Sequence, residues 1–462
     1  MYIEQLYTNC LAEAAYYIES EGEAAIIDPL RETTPYLEKA KERKTTIKYI
    51  FETHFHADFV SGHIDLSKKT NAPIVYGPLA NTKYDVINAK DGQEFTIGKI
   101  KLKVLHTPGH TPESSCYLLL DEHGKEHAIF TGDTLFVGDV GRPDLLDGVM
   151  TREELAGMLY DSLNNKIKTL PDAVVVYPAH GPGSACGKNI GKETFSTIGE
   201  QKKVNYALQN QTKEEFIEKV TDGILPPPAY FFEDARINRD GYAPIDEVMA
   251  NNAKALSASL FKKEVEKGAI ILDTRKADDF EKGFIKGSIN IGLNGQYAVW
   301  VGTLVDIKKP LLLVAEEGKE EEAVLRLARV GYENVLGYLA GGVKNWNEPL
   351  DTITSIHPHE IPTYKKAGFD VLDVRKPGEW SAGHLKDAQF LPLADFPVNL
   401  KETDNEANHV IHCAGGYRSM IAISIMKRQG FTGKLVNVYG GFGEMKKILA
   451  EDVVVPESAQ FV

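Results

Sequence analysis

Apolar and polar positions along the chain predict an α/β protein. In the first half, short runs of β-branched and aromatic residues alternate with stretches of helical periodicity. Two capping boxes, at residues 151–154 and 212–215, predict where two helices begin. Three consecutive prolines at 226–228 cannot continue a helix, so we place the end of the first domain near residue 240. The predicted strands are Ala24–Ile27, Tyr49–Phe51, Ile74–Tyr76, Lys101–Leu105, Cys116–Leu120, Ala128–Phe130 and Val174–Tyr177.

The rest of the chain contains an internal repeat. The segment ILDTRKADDFEKGFIKGSINI, near residue 271, recurs as VLDVRKPGEWSAGHLKDAQFL near residue 371. The Asp-x-Arg pair of each segment, Asp273 with Arg275 and Asp373 with Arg375, recurs at a spacing of 100 residues. A period of that size is a whole domain, so it indicates a duplicated α/β domain and not a solenoid. The predicted domains are 1–240, 241–352 and 353–462.

Composition narrows the class of protein. The chain has 462 residues, enough for about three domains of roughly 100–200 residues each. Its net charge of −14 disfavours nucleic acid or an anionic membrane as partner, and its apolar runs are shorter than a membrane span of about 20 residues. The first residues lack a signal-peptide pattern, and four dispersed cysteines fit reduced thiols, so we expect a cytoplasmic protein. Whether it forms a homo-oligomer is left open.

Polar residues suited to metal binding follow several predicted strands. The segment THFHADFVSGH comes after the strand ending at Phe51, and places His54, His56 and Asp58 at alternate positions. Because neighbouring strand ends meet at one edge of a sheet, these side chains can converge on one metal ion. Later segments of the same kind are HTPGHT with His110, TGDTLF with Asp133 and YPAHGPG with His180.

These segments resemble the metallo-β-lactamase fold, an αββα sandwich, over roughly the first 230 residues. The family signature is H-x-H-x-D-H followed by separate His, Asp and His residues. Here the last position of the first motif is Phe59, which cannot bind a metal, so the resemblance implies a single metal site. Two histidines and one carboxylate with open positions are typical of non-haem Fe(II) oxygenases. Zinc with open positions would instead generate hydroxide for hydrolysis.

Within this fold, the resemblance is to the mononuclear iron subgroup, the persulfide dioxygenases. It implies one Fe(II) per chain, bound by His54, His110 and Asp133, and oxidation of a low-molecular-weight thiol persulfide by O2 to sulfite and thiol. The alternative is a zinc-dependent thioester hydrolase of the glyoxalase II type. Further candidates are His56, Asp58 and His180 as surrounding groups or additional ligands, Arg142 and Tyr177 as substrate contacts, and Cys186 as a persulfide carrier.

A second candidate site lies in VIHCAGGYRS, residues 410–419, between a predicted strand and a predicted helix. Backbone N–H groups after Cys413 can form an anion nest, and the glycines at 415 and 416 allow its tight curvature. Arg418 adds a fixed positive charge. Together these features favour a thiolate or persulfide anion at Cys413.

The Cys-x4-Arg loop resembles the active-site loop of rhodanese sulfurtransferases, which implies transfer of sulfane sulfur between thiosulfate or sulfite and a thiol. The first repeat resembles the same family but carries Val314 or Ala315 at the cysteine position, followed by the acidic EEGKEEE segment. We therefore expect an inactive rhodanese-like domain in the middle and an active one at the end, both with mainly parallel sheets. A non-catalytic alternative, in which the repeats dock a partner protein, remains open for the middle domain.

Overall fold

A computed structural model describes residues 1–145 and 149–455. Its chain divides into two compact units. The first comprises residues 1–248 together with 328–331, and the second comprises residues 249–327 with the chain from residue 332 onward. The predicted three-domain boundaries therefore stay predictions. In the described residues, no helix combines the length and apolar character that crossing a membrane requires.

The first unit contains two six-stranded sheets. The first sheet runs in chain order, β1 Tyr2–Thr8, β2 Glu13–Ser20, β3 Glu23–Ile27, β4 Thr46–Phe51, β5 Ile74–Tyr76 and β6 Ile87–Asn88. The second has the reverse order, β12-β11-β10-β9-β8-β7, with β7 Glu94–Ile97, β8 Ile100–His106, β9 Ser115–Leu120, β10 Glu126–Gly132, β11 Val175–Pro178 and β12 Ser196–Thr197. Each of the seven predicted strands coincides with one of these, whereas β1, β2, β6, β7 and β12 escaped prediction.

Helices cover the outer faces of both sheets. On the first sheet lie α1 Thr34–Arg43 and α2 His63–Thr70, and on the second lie α3 Arg152–Ser162, α4 Ile198–Val204 and α5 Lys213–Thr221. They are followed by α6 Phe231–Asp240 and by α7 Ile245–Asn252, within which the first unit ends. The predicted capping boxes begin α3 and α5, since the hydroxyls of Thr151 and Thr212 accept the backbone N–H three residues on. One core, with Tyr16, Phe51 and Phe130, lies between the sheets. Two further cores lie under the helices, so the layers are αββα, as expected.

The second unit contains two five-stranded parallel sheets with equivalent strand orders. The first has the order β13-β17-β16-β14-β15, with β13 Ala255–Leu256, β14 Ile270–Asp273, β15 Ile289–Asn290, β16 Leu311–Val314 and β17 Val335–Leu339. The second has the order β18-β23-β22-β19-β21, with β18 Thr354–Ile356, β19 Asp370–Asp373, β21 Gln389–Phe390, β22 His409–His412 and β23 Leu435–Val438. A small antiparallel pair joins β20 His384–Leu385 to β24 Val453–Val454. The internal repeat is therefore a structural duplication.

The helices of this unit connect the parallel strands. They are α8 Ala258–Glu266, α9 Ala277–Phe280, α10 Tyr297–Leu304, α11 Glu320–Ala328, α12 Ile361–Lys366, α13 Pro377–Ser381, α14 Phe396–Asn399, α15 Tyr417–Arg428 and α16 Gly441–Ile448. The Asp-x-Arg pair of each repeat ends a buried strand, where the guanidinium of Arg275 or Arg375 binds the carboxylate two residues earlier. Each of these arginines also donates to a glycine carbonyl eight residues on, Gly283 or Gly383. The shared motif thus fixes the same loop in both repeats.

Candidate active sites

The metal-binding residues predicted from the sequence meet at one edge of the αββα sandwich. His54, His56 and Asp58 follow β4, His110 follows β8, Asp133 follows the end of β10, and His180 follows β11. All six are buried. Strand ends that lie far apart in the sequence therefore bring these side chains into one cluster.

The cluster contains two adjoining groups of three. His54, His110 and Asp133 form one, in which Asp133 Oδ2 lies 3.9 Å from His54 Nε2 and 3.4 Å from His110 Nε2. His56, Asp58 and His180 form the other, and His180 Nε2 lies 3.5 Å from Asp58 Oδ2. A contact of 3.6 Å between His180 Nε2 and Asp133 Oδ1 joins the two groups.

The donor atoms of the first group suit a metal cation. His54 Nε2, His110 Nε2 and both oxygens of Asp133 are buried and have no hydrogen-bond partner in the described part of the chain. Unpaired buried polar atoms are costly, and a bound cation would satisfy all of them at once. Burial, together with the neighbouring histidines, holds the pKa of His54 well below its ordinary value, so its imidazole is neutral and able to ligate.

Residues behind the cluster fix the orientation of these imidazoles. His110 Nδ1 lies 2.8 Å from the backbone carbonyl of Arg142, and His54 Nδ1 lies 3.0 Å from the hydroxyl of Thr53. That hydroxyl donates to Asp28 Oδ2 at 2.8 Å, so its oxygen accepts from His54. Both Nε2 atoms are therefore free to face a metal. The sequence analysis missed Thr53 and Asp28, although Asp28 directly follows a predicted strand and carried the same signal as the other cluster residues.

Phe59 occupies a fully buried position against the second group. Its ring lies on His56, with the ring centroids 4.3 Å apart. The Nε2 atom of His56 lies 3.1 Å from Asp28 Oδ1. An apolar ring thus stands where the dinuclear pattern has a metal ligand.

The two predicted substrate contacts lie in different surroundings. The Arg142 guanidinium is buried and donates to both oxygens of Asp144, at 2.6 and 2.7 Å, and to the carbonyls of Ala185 and Leu225. Tyr177 packs between the sheets, where its ring stacks on Phe130. Their roles in binding substrate stay predictions.

Cys186 lies beside the metal cluster. Its sulfur, Asp133 and His180 each offer a ligand atom, and these atoms are within 4.8 Å of one another. Burial raises the pKa of this thiol to about 12, with a further contribution from Asp58. All four cysteines, which lie within the described residues, are free thiols. The predicted role of Cys186 as a persulfide carrier stays a prediction.

The second predicted site lies at the carboxyl end of β22, where Cys413 precedes α15. The sulfur of Cys413 is buried, and it accepts a hydrogen bond from the backbone N–H of Gly416 at 3.1 Å. Gly416 has a φ of 103°, a backbone conformation that favours glycine. The hydroxyl of Ser419 lies 3.6 Å from the same sulfur. The sulfur therefore has the Gly416 N–H as a donor and the Ser419 hydroxyl, which the sequence analysis missed, as a neighbour. The predicted nest of several backbone N–H groups stays a prediction.

Arg418 is held at this loop by an ion pair. Its guanidinium donates to both oxygens of Glu379, at 2.6 and 2.7 Å. Burial acts to lower the pKa of Arg418, but Glu379 and the Cys413 sulfur raise it overall, so the charge is retained. Glu379 was also missed, because only the fold brings it to the loop.

In the first repeat, Ala315 stands in the position of Cys413. It follows β16 directly, as Cys413 follows β22. The acidic residues after it, Glu316 and Glu317, are exposed. This copy of the loop has no thiol, and its charge opposes an anionic sulfur.

Comparison with known proteins matches each half of the chain to a known family. A model described as the metallo-beta-lactamase superfamily matches residues 8–180, and one described as a rhodanese-like domain matches residues 257–349 and 361–447. The mitochondrial persulfide dioxygenase of Homo sapiens is 32% identical over 209 residues, which cover 45% of this chain and 74% of that protein. A probable hydroxyacylglutathione hydrolase of Schizosaccharomyces pombe is 33% identical over 165 residues, which cover 35% of this chain and 60% of that protein.

Among solved structures, a metallo-beta-lactamase from Staphylococcus aureus is similar over most of the chain. It is 32% identical, with a TM-score of 0.66, and the match covers 74% of this chain and 99% of that one. The similarity thus extends well beyond the αββα sandwich.

Proposed function

Because the chain belongs to the metallo-beta-lactamase superfamily and continues into rhodanese-like domains, we propose that it is a persulfide dioxygenase fused to a sulfurtransferase. The first activity converts a low-molecular-weight thiol persulfide, O2 and water into the thiol and sulfite, with release of two protons. The second moves sulfane sulfur between thiosulfate or a persulfide and an acceptor through Cys413. The observation that carries the first proposal is the three-donor group His54, His110 and Asp133, together with the apolar Phe59 ring on His56 in the adjoining group.

Those three residues would hold one Fe(II) ion. Two imidazoles and one carboxylate leave open positions, and iron held in this way supplies the redox chemistry that brings a persulfide and O2 together. The chain supports this donor set through Thr53 and the Arg142 carbonyl, which orient His54 and His110. The Arg142 side chain, bonded to the Ala185 carbonyl, steadies the loop that carries Cys186.

The remaining site residues have proposed roles around the reacting groups. His56, Asp58 and His180 line the cluster next to the metal position and would bind water or the polar end of the substrate. Arg142 and Tyr177 would contact the organic part of the persulfide. Cys186, whose sulfur lies near Asp133 and His180, would accept sulfane sulfur close to the site of oxidation.

Sulfur transfer would proceed at the Cys413 loop. The Cys413 thiolate attacks the sulfane sulfur of thiosulfate, a new S–S bond forms, and the bond to the sulfonate sulfur breaks, so that sulfite leaves with the electron pair. An acceptor thiolate, or sulfite, then takes the sulfane sulfur and restores Cys413. The Gly416 N–H and the Arg418 guanidinium would stabilise the anionic sulfur in both steps.

A zinc-dependent thioester hydrolase is the second candidate for the first unit. The similarity to hydroxyacylglutathione hydrolases favours it, since those relatives are about as similar to the chain as the persulfide dioxygenases. Phe59 opposes it, because an apolar ring removes one donor from the second metal position. The two candidates therefore differ in both metal content and substrate.

The test uses full-length protein purified without oxygen. Metal content is measured first, and oxygen uptake is then followed with the persulfides of glutathione, coenzyme A and bacillithiol, beside hydrolysis of a glutathione thioester. We expect about one iron per chain and oxygen uptake with at least one persulfide. Two zinc ions per chain with thioester hydrolysis and no oxygen uptake would establish the alternative.

A further inference from the structure

The hydroxyl of Ser419 contacts the Cys413 sulfur and also begins a chain of buried hydrogen bonds. Ser419 Oγ lies 3.6 Å from Cys413 Sγ, 3.1 Å from the Gly416 carbonyl and 2.7 Å from Asn437 Oδ1. A serine hydroxyl has one proton to donate. The shortest of the three contacts is with Asn437, a buried residue of β23, and it sets where the Ser419 oxygen lies.

Asn437 continues the chain to a carboxylate of the inactive repeat. Its Nδ2 atom donates to Ser355 Oγ at 3.1 Å, and the Ser355 hydroxyl donates to Glu281 Oε2. Glu281 belongs to the first repeat, directly after α9, and is buried. Both oxygens of Glu281 accept hydrogen bonds, from the hydroxyls of Ser355 and Tyr439, so the direction of every bond in the chain is fixed from this end. The amide oxygen of Asn437 is therefore turned toward Ser419.

The inactive repeat also contacts the loop through Tyr417. The Tyr417 hydroxyl donates to the Gly292 carbonyl at 2.8 Å. A Cβ atom at Gly295 would come within 2.4 Å of the Tyr417 ring, so this ring fills the space that the glycine leaves. The first repeat thus contacts the Cys413 loop directly at Tyr417 and is linked to it from Glu281 through Ser355 and Asn437, although it has no thiol of its own at Ala315.

We propose that Glu281 of the inactive repeat is a positioning residue for sulfur transfer, because it holds the Ser419 hydroxyl against the Cys413 sulfur through Ser355 and Asn437. Without this chain, the Asn437 amide can turn over, and the single Ser419 proton is then shared among Asn437, the Gly416 carbonyl and the Cys413 sulfur. The polar groups beside the reacting sulfur then lose their single arrangement. The duplicated domain then has a definite role in the reaction that the active repeat carries out. This inference rests on the sulfurtransferase activity proposed above.

The chain offers matched variants for the test. Ser355→Ala and Glu281→Ala each break the hydrogen-bond chain, and Ser355→Thr keeps its hydroxyl. Ser424→Ala is the control, because the buried Ser424 hydroxyl also lies between the repeats, where it accepts from the Asn290 N–H at 3.0 Å and donates to the Ile421 carbonyl at 2.7 Å. Thiosulfate-to-cyanide sulfur transfer by the full-length protein is measured as separate kcat and KM values, beside the unfolding midpoint. We expect Ser355→Ala and Glu281→Ala to lower kcat about five-fold with KM within about two-fold. Ser355→Thr and Ser424→Ala should stay within about two-fold of wild type.

A double-mutant cycle separates positioning from general destabilisation. If Glu281 acts through Ser419, Glu281→Ala should have no further effect on kcat in a Ser419→Ala background. An equal loss in both backgrounds, or an unchanged kcat in Ser355→Ala and Glu281→Ala, would overturn the inference while the proposed function stands. Wild-type protein that transfers no sulfur would overturn the proposed function, and this inference with it. Should Glu281→Ala fail to fold, the partly exposed Ser355 supplies the same comparison.

Discussion

Thr53→Val tests whether the residues behind the metal cluster set its affinity. Thr53 is buried, and valine matches its shape. The substitution removes the hydroxyl that joins Asp28 Oδ2, at 2.8 Å, to His54 Nδ1, at 3.0 Å. Loss of such a partner weakens metal binding about 10- to 100-fold, or about 1.4–2.8 kcal/mol. The hydrogen bond to the buried carboxylate is worth a further ~1.5–3 kcal/mol to the metal-free fold.

The assay is competition for Fe(II) against a chelator, without oxygen, on wild-type, Thr53→Val and Thr107→Val proteins. Thr107 is the matched control, since its buried hydroxyl contacts Thr134 and Cys116 but none of the three proposed ligands. We expect a raised dissociation constant in Thr53→Val alone, and a smaller rise in its unfolding temperature when iron is added. Equal affinity in Thr53→Val and wild type, or equal weakening in Thr107→Val, would refute the reasoning.

Three more predictions address the two sites and the core. His110→Ala should lose its iron and its oxygen uptake, whereas His180→Ala should keep most of its iron. The iron content of each purified variant tests this, and equal loss of iron in both variants would contradict the ligand assignment. Cys413→Ser should abolish sulfur transfer and leave persulfide-dependent oxygen uptake largely intact, because a serine hydroxyl cannot carry sulfane sulfur. Simultaneous measurement of sulfite, thiosulfate and oxygen tests this prediction, and loss of oxygen uptake in the iron-loaded variant would contradict it. Burial, with the neighbouring His56, lowers the pKa of His63 to about 3 from 6.5. Between about pH 3 and pH 6.5, the unfolded chain therefore binds a proton at His63 that the folded chain does not bind. The free energy of unfolding should therefore fall as pH drops below about 6.5, by about 1.4 kcal/mol per pH unit for this group. Denaturant titrations at several pH values give the free energy of unfolding of wild type and His63→Gln, and its slope against pH should be smaller in the variant. Equal slopes against pH in the two proteins would count against the prediction.

Local patterns determined the class of each half of the chain. The predicted strands followed from short apolar runs, and the capping boxes at Thr151 and Thr212 predicted where α3 and α5 begin. The duplication was visible because the same Asp-x-Arg and glycine positions recur, and these positions fix the same loop in both copies. Strand β1 escaped prediction, because Tyr2–Thr8 is only partly buried and does not stand out as an apolar run. Strand β2, Glu13–Ser20, is buried and contains an apolar run that the sequence analysis missed.

The sequence by itself determined which residues are the candidates at both sites, and only the tertiary structure decided their supporting contacts. His54, His110, Asp133 and Cys413 each follow a strand in a motif of distinctive spacing, so local sequence was enough to identify them. Asp28, Glu379 and Glu281 have no such motif around them. Their roles depend on side chains 25 to 74 positions away, which the fold brings within hydrogen-bond distance. A sequence motif predicts which groups are candidates to react, whereas the packing of distant segments decides how those groups are oriented.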